Sequence, residues 1–205
     1  MAATIPTPPR MLVLGCGAIA RELRQVMALL PDADITLECL PGILHNRPER
    51  IAPMVSERLA RAAGSYDRVL VGYADCGTGG TLDAVIGAWP HTERIPGAHC
   101  YEFFAGTELF DLTNDPHTFY LTDYLARHFD LFVWRGLGLD RWPQLRDDYF
   151  GNYRRLVYLS QTSTAELIAS ATAAAERLGL EFEQVHTGLA PLESAVRVTL
   201  SGARA

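Results

Sequence analysis

The feature that most restricts how this chain folds is a unit that occurs twice, in which a short apolar run meets a Cys-Gly turn and passes into a segment with helical spacing. Met11 to Gly15 (MLVLG) runs into Cys16-Gly17, and Ala18 to Leu30 follows with apolar residues at helical intervals. Tyr66 to Tyr73 (YDRVLVGY) runs into Ala74-Asp75-Cys76-Gly77-Thr78-Gly79-Gly80, after which a helix is expected from Thr81 to Trp89. A strand that enters a helix through a tight turn is half of a crossover, and crossovers of this kind build parallel sheets.

The rest of the chain keeps the alternation. Ile35 to Leu40 (ITLECL) reads as a strand, Pro41-Gly42 opens a loop holding His45-Asn46-Arg47-Pro48-Glu49, and a helix is expected to run to Ala63. Further strands are expected at Phe119 to Leu121, Asp130 to Leu139, Leu156 to Ser160 and Leu180 to His186, with helices over Thr122 to Phe129 and Thr164 to Leu178. The expected fold is therefore α/β: a mostly parallel, Rossmann-like sheet with helices on both faces, in three layers. Units starting near residues 11, 67 and 155 suggest internal repetition, the third carrying Gln161-Thr162 where the others carry cysteine. With 205 residues, 48% of them hydrophobic, the chain is long enough for one α/β domain over 11–205 behind a disordered Pro/Thr tail at 1–10.

Composition excludes several kinds of chemistry. The chain has no lysine, which removes lysine Schiff bases, pyridoxal phosphate aldimines and a Walker-type phosphate lysine. A net charge of −6 with dispersed arginines gives no basic stripe for nucleic acid. No apolar stretch approaches the roughly 20 residues that span a bilayer, and Met1 to Arg10 lacks a signal-peptide core, so a cytoplasmic protein that does not enter membranes is expected. Four cysteines in such a chain point to metal binding, catalysis or inert burial rather than a disulfide framework.

Ligands of parallel sheets bind beyond the carboxyl ends of the strands, which puts both Cys-Gly turns on the functional edge. Around Cys76 the glycines free the backbone, and a helix N-terminus offers N–H groups to an anion and favours a thiolate. Asp75, Gly77, Thr78 and Gly79 are the expected substrate-binding residues there. Cys16 occupies the matching place after the first strand, whereas Cys39, inside Leu37-Glu38-Cys39-Leu40, reads as a small core residue. Pro96-Gly97-Ala98-His99-Cys100-Tyr101-Glu102 adds an imidazole, a thiol and a carboxylate; in an extended segment Cys100 and Glu102 share a face, leaving His99 to orient a partner.

Three cysteines on separate loops, Cys16, Cys76 and Cys100, suit an open site better than a paired structural zinc site. They fit zinc with one position free, or a 4Fe–4S cluster with one iron left without a protein ligand. Glu102 and His45 are the candidate proton carriers, and Arg47 the anion clamp beside His45, although Asn46-Arg47-Pro48-Glu49 also reads as a helix cap with Asn46 at the N-cap. Asp147 to Tyr153 (DDYFGNY) offers carboxylates and phenols for a cation or polar ligand, or forms a solvated turn. His117, His128 and His186 show no pairing and read as ordinary histidines.

The blocks Gly15 to Ala18, Leu44 to Glu49, Gly72 to Gly80, Pro96 to Glu102 and Asp147 to Tyr153, in this order, resemble a prokaryotic domain-of-unknown-function family numbered 1638. That resemblance covers nearly the whole chain and implies a place beside corrinoid-dependent methylamine or betaine methyltransferase systems, hence one-carbon metabolism. The function expected is a zinc-thiolate enzyme that activates a thiol or water on a small-molecule substrate, with a methyl transfer as the implied reaction and a corrinoid protein or methyltransferase as the implied partner. An iron–sulfur enzyme acting on a small carboxylate and a non-catalytic metallochaperone for a methyltransferase system are the alternatives.

Overall fold

The computed structural model describes residues 8–106 and 115–201. The chain separates into two compact units, Met1–His99 with Leu192–Ala205, and Cys100–Pro191. Every strand pairing in either unit is parallel, as the crossover pattern requires. The expected tail falls largely on residues 1–7, which lie outside the described residues.

In the first unit β1 (Met11–Cys16), β2 (Ile35–Leu40), β3 (Arg68–Gly72) and β4 (Thr92–Arg94) form one sheet in the order β2-β1-β3-β4. All six residues of β1 are buried, the near-continuous apolar signature of a central parallel strand. The connection from β1 leads outward to β2, and the connection from β2 returns past β1 to β3. With right-handed crossovers, this puts α1 (Ala20–Ala28) and α2 (Ile51–Ala62) on opposite faces of the sheet. Each supplies an apolar stripe, Leu23 and Val26 from α1 and Ile51, Val55 and Leu59 from α2. Helix α1 is shorter than its apolar spacing suggests: residues Gly17–Ile19 form a 3-10 turn before it, and Pro31 disfavours helical backbone at Leu30. A short α3 (Thr81–Ile86) joins β3 to β4.

Two glycines set how closely the central strands approach. Gly15 on β1 is in register with Gly72 on β3, and a Cβ on Gly72 would stand 3.1 Å from the Gly15 Cα. A Cβ on Gly15 would run into Leu23 Cδ1. Small residues at this pair let α1 lie against the sheet beside the strand ends.

The second unit holds β5 (Thr118–Thr122), β6 (Arg155–Ser160) and β7 (Glu181–His186) in sequential order, with α4 (Cys100–Ala105), α5 (Asp123–Arg127), α6 (Leu145–Phe150) and α7 (Ala165–Leu178). Leu121, Leu156, Tyr158, Leu167, Ala171 and Leu178 lie in its core. Helix α7 begins at Thr164, whose hydroxyl accepts from the Leu167 N–H at 3.3 Å, and ends at Gly179 in the left-handed region at φ +69°. A last helix, α8 (Ala190–Ser201), which the apolar spacing does not predict, belongs from Leu192 onward to the first unit.

Three local expectations are corrected. Asp130 to Leu139 is not a strand: Asp130–Trp134 forms a π-helical turn, and Phe129, Phe132 and Val133 are buried at helical rather than alternating spacing. The segment at Cys100 is not extended but opens α4, so Cys100 and Glu102 do not share a face as neighbours in a strand would. Asp147 and Asp148 lie in the first turn of α6, where carboxylates complement the helix dipole, rather than in a loop.

Candidate functional site

The strand order of the first sheet reverses between β1 and β3, and at such a point the loops leaving adjacent carboxyl ends diverge to opposite faces and open a crevice. Cys16 ends β1 and Cys76 follows β3, so both thiols of the repeated Cys-Gly turns belong to this edge. Cys16 is buried, with 6% of its surface exposed, and its Sγ accepts the Ala18 N–H at 3.4 Å. Burial pushes its thiol up, while that N–H and the neighbouring Tyr73 partly offset the rise.

Tyr73, the last residue of the third apolar run, carries no sequence signal of a functional role. It is 2% exposed, and its hydroxyl is buried with no hydrogen-bond partner among the described residues. The hydroxyl and the Cys16 thiol are near enough to alter each other's ionisation without attaining the geometry of a good hydrogen bond. Burial above all, then Cys16, drives the phenol far above its usual range, and Cys76 and Cys39 add to the effect. An orphaned buried hydroxyl costs about 1–3 kcal/mol and is rare, so it marks a position where a polar group is wanted.

Cys76 itself sits at φ +51°, a left-handed backbone that a non-glycine residue rarely adopts, and is half-buried. The turn is tied to the chain beyond β4 by Asp75 N–H to Gly97 O at 3.1 Å and Cys76 N–H to Ala98 O at 2.9 Å. Arg94 anchors that same stretch. It grips Asp83 through Nε at 2.5 Å and Nη2 at 3.0 Å, and donates from Nη1 to the Ile95 and Gly97 carbonyls.

The anion cradle expected at Gly77, Thr78 and Gly79 carries its own anion. The Asp75 carboxylate accepts the Thr78 hydroxyl at 2.8 Å and the Gly79 and Gly80 N–H groups at 3.1 and 3.0 Å. Asp75 therefore holds the turn that presents Cys76, and its donors are turned to it rather than outward. The Gly80 N–H first, then the Thr78 hydroxyl, hold its carboxyl below the usual carboxylate range. Because the folded value is depressed, this stabilisation is complete above the unfolded carboxylate pKa of about 3.9 and is lost as pH falls through the folded value. Asp75→Asn is accordingly expected to lower stability near neutral pH and to flatten the acid limb of a stability-against-pH curve, measured by thermal unfolding; an unaltered acid limb contradicts this role.

The loop after β2 meets both turns. A Cβ on Gly17 would stand 2.7 Å from Gly42 N and 2.7 Å from Leu40 O, and one on Gly77 would touch Pro48 at 3.5 Å. His45 lies in that loop, half-buried; burial and then His99 hold its imidazole below the ordinary value, so it is neutral at pH 7. Arg47 is exposed and is itself the residue before Pro48 in a 3-10 turn, so the capping position falls to Arg47 and not Asn46. Cys39 is corrected from core filler to an exposed residue, since β2 is the sheet edge. Its thiol still lies close enough to Cys16 to be pushed up by it, after the effect of partial burial.

Cys16, Tyr73, Cys76, His45 and His99 thus belong to one unit, and Cys100 and Glu102 lie in α4 of the other. Among the described residues no group of three or more His, Cys, Asp or Glu side chains is gathered as a ready-made metal site. No helix among the described residues is long and apolar enough to cross a membrane. The sequence model of a family described as protein of unknown function (DUF1638) matches residues 39–196. No curated protein and no solved structure matches the chain.

Proposed function

Because this chain belongs to the DUF1638 family, which carries no assigned activity, we propose its function from the β1/β3 crevice: a metal-dependent enzyme whose Cys16 and Cys76 thiolates hold zinc for work on a small substrate. The observation that carries this reading is that Cys16 ends β1 and Cys76 follows β3 where the strand order reverses, with the Tyr73 hydroxyl, buried and without a partner among the described residues, just past the end of β3. Two thiolates with a neutral His45 imidazole make a Cys2His donor set, one of the sets that leave zinc a position for substrate. The described residues do not gather these three donors into one group, so the reading requires them to come together when the metal binds.

When bound, zinc would lower the pKa of a substrate thiol or water and make it a nucleophile at neutral pH. Tyr73, kept protonated, donates its O–H to a substrate oxygen or sulfur and so fixes its orientation. His99, exposed on the segment bonded to the Cys76 turn, is placed to accept or return the proton. A thiol as methyl acceptor is the version that the implied one-carbon setting favours.

The test is metal content and a visible spectrum on the full chain purified without oxygen. About one equivalent of zinc is expected, falling by at least tenfold in Cys16→Ala and in Cys76→Ala. Metal-free wild type, or full zinc in both variants, overturns the proposal. Iron with broad visible absorption overturns zinc in favour of a cluster.

A further inference from the structure

The carboxyl ends of β6 and β7 hold a second polar cluster, wholly within the second unit and outside the thiol crevice. The parallel register pairs Ser160 with His186, residues that the sequence separates by a full helix. Ser163 Oγ lies 2.8 Å from His186 Nδ1 and 2.7 Å from Ser160 Oγ, and Gln184 Nε2 lies 3.2 Å from each serine oxygen. Ser160 Oγ also lies 3.3 Å from His186 Nδ1 and 3.5 Å from the Val185 carbonyl oxygen, so these contacts admit more than one arrangement of protons. In the arrangement that activates Ser163, the Gln184 amide donates to both serines, Ser160 donates to Ser163 Oγ, and Ser163 donates its own proton to the His186 Nδ1 lone pair. His186, which showed no pairing in the sequence, is therefore a hydrogen-bonded partner of a serine.

A hydroxyl that receives two hydrogen bonds and gives its proton to an imidazole is polarised towards alkoxide. Ser163 also stands at φ +51°, a strained backbone for a residue with a side chain, on a sharp turn from β6 into α7. That turn is fixed from below by Asp123, whose carboxylate accepts the Gln161 and Thr162 N–H groups, both at 3.0 Å. Helix α7 starts just beyond, and the N–H groups of its first turn have no acceptor inside the helix. Ser163 is half-buried and His186 exposed, so a small acyl compound reaches both.

We propose that Ser163 is a nucleophile and His186 its general base in an acyl-transfer site for small esters or thioesters. Ser163 Oγ forms the bond to the carbonyl carbon as its proton passes to His186 Nδ1, and the carbonyl electron pair moves onto oxygen, where the Ala165 and Glu166 N–H groups at the start of α7 receive it, that of Leu167 being held by the Thr164 hydroxyl. Collapse breaks the bond to the alcohol or thiol, which leaves with the proton from His186. Water then attacks the acyl-serine, passes a proton through His186, and releases the acid and free Ser163.

The test uses the full chain with a fluorophosphonate probe, mapped by peptide mass spectrometry, and p-nitrophenyl acetate hydrolysis. The expected results are a label on Ser163 and a fall in hydrolysis of about a hundredfold in Ser163→Gly and in His186→Gln, with Ser170→Ala unchanged. Glycine takes the left-handed backbone without cost, so the Ser163→Gly chain keeps its fold while it loses the hydroxymethyl group. Absence of label on Ser163, or Ser163→Gly hydrolysis equal to wild type, overturns the assignment. Neither readout involves the thiol crevice, so this result and the metal result stand or fall separately.

Discussion

Asp123→Ala is expected to lower the unfolding free energy of the full chain by about 2–6 kcal/mol, because it removes the acceptor around which the second unit's strand ends are arranged and orphans at least two buried donors. Asp123 is 1% exposed. Its Oδ1 accepts from the Tyr158 hydroxyl at 2.6 Å and the Gln161 N–H at 3.0 Å, and its Oδ2 from the Thr162 N–H at 3.0 Å and the Thr162 hydroxyl at 2.5 Å. Its own N–H donates to Gln161 Oε1 at 3.0 Å, which locks the same loop from the other side. With the carboxylate gone, the fully buried Tyr158 hydroxyl and the Gln161 N–H have no acceptor, and each orphan costs on the order of 1–3 kcal/mol. Asp123→Asn keeps the volume but turns an NH2 towards donors, so it should recover only part of the loss. Urea unfolding reads the difference; a loss under about 1 kcal/mol would mean that water replaces the carboxylate and that the network is not what orders the turn.

Gly17→Ala is the second large effect, and its cause is steric rather than electrostatic. Gly17 has no left-handed backbone, so conformational freedom is not the reason that glycine stands there. Its added methyl would press on the backbone of Leu40 and Gly42, neither of which can turn aside as a flexible side chain would. Relief requires the turn after Cys16 to move off the end of β2, at a cost of about 1–3 kcal/mol, and exposes the Cys16 thiol. The expected result is a lower melting temperature together with faster thiol labelling at Cys16. Equal stability and an unreactive Cys16 would contradict the close approach of the two loops.

The strand–turn–helix alternation was legible because each signal is local. Apolar runs, Cys-Gly turns and helical spacing identified β1, β2, β3, β5, β6 and β7 within a few residues of their ends. Asp130 to Leu139 failed for an equally local reason: a run of apolar residues without clear alternation does not distinguish a buried strand from helical turns, and Phe129, Phe132 and Val133 settle it only once their burial is known. The site was half legible. Cys16 and Cys76 announce themselves through their turns, but their place at the ends of adjacent strands depends on the order β2-β1-β3-β4, which no local pattern encodes. The same order makes β2 an edge and so exposes Cys39, which its apolar neighbours disguised. Tyr73 looked like the last residue of a buried strand, and nothing in the sequence shows that its hydroxyl lacks a partner. Ser163 and His186 were hidden for a related reason, being joined only by the register of β6 on β7.

A glycine turn before a helix suggests an external anion, and on sequence alone the Asp75 carboxylate, two residues before the first glycine, reads as part of that binding surface. In the folded chain it is the anion. Helix α3 is only 6 residues long, so little dipole remains to recruit another.

The most direct test of the thiol crevice as a metal site is an anaerobic cobalt(II) titration of the full, metal-stripped chain, followed by absorption. Cobalt bound to thiolate sulfur gives intense charge-transfer bands, whereas cobalt on oxygen and nitrogen does not. The account predicts thiolate bands that saturate near one equivalent in wild type, weaken in Cys16→Ala and in Cys76→Ala, and persist in Cys39→Ala. Wild type without those bands, or bands of full strength in both the Cys16 and the Cys76 variant, would contradict it.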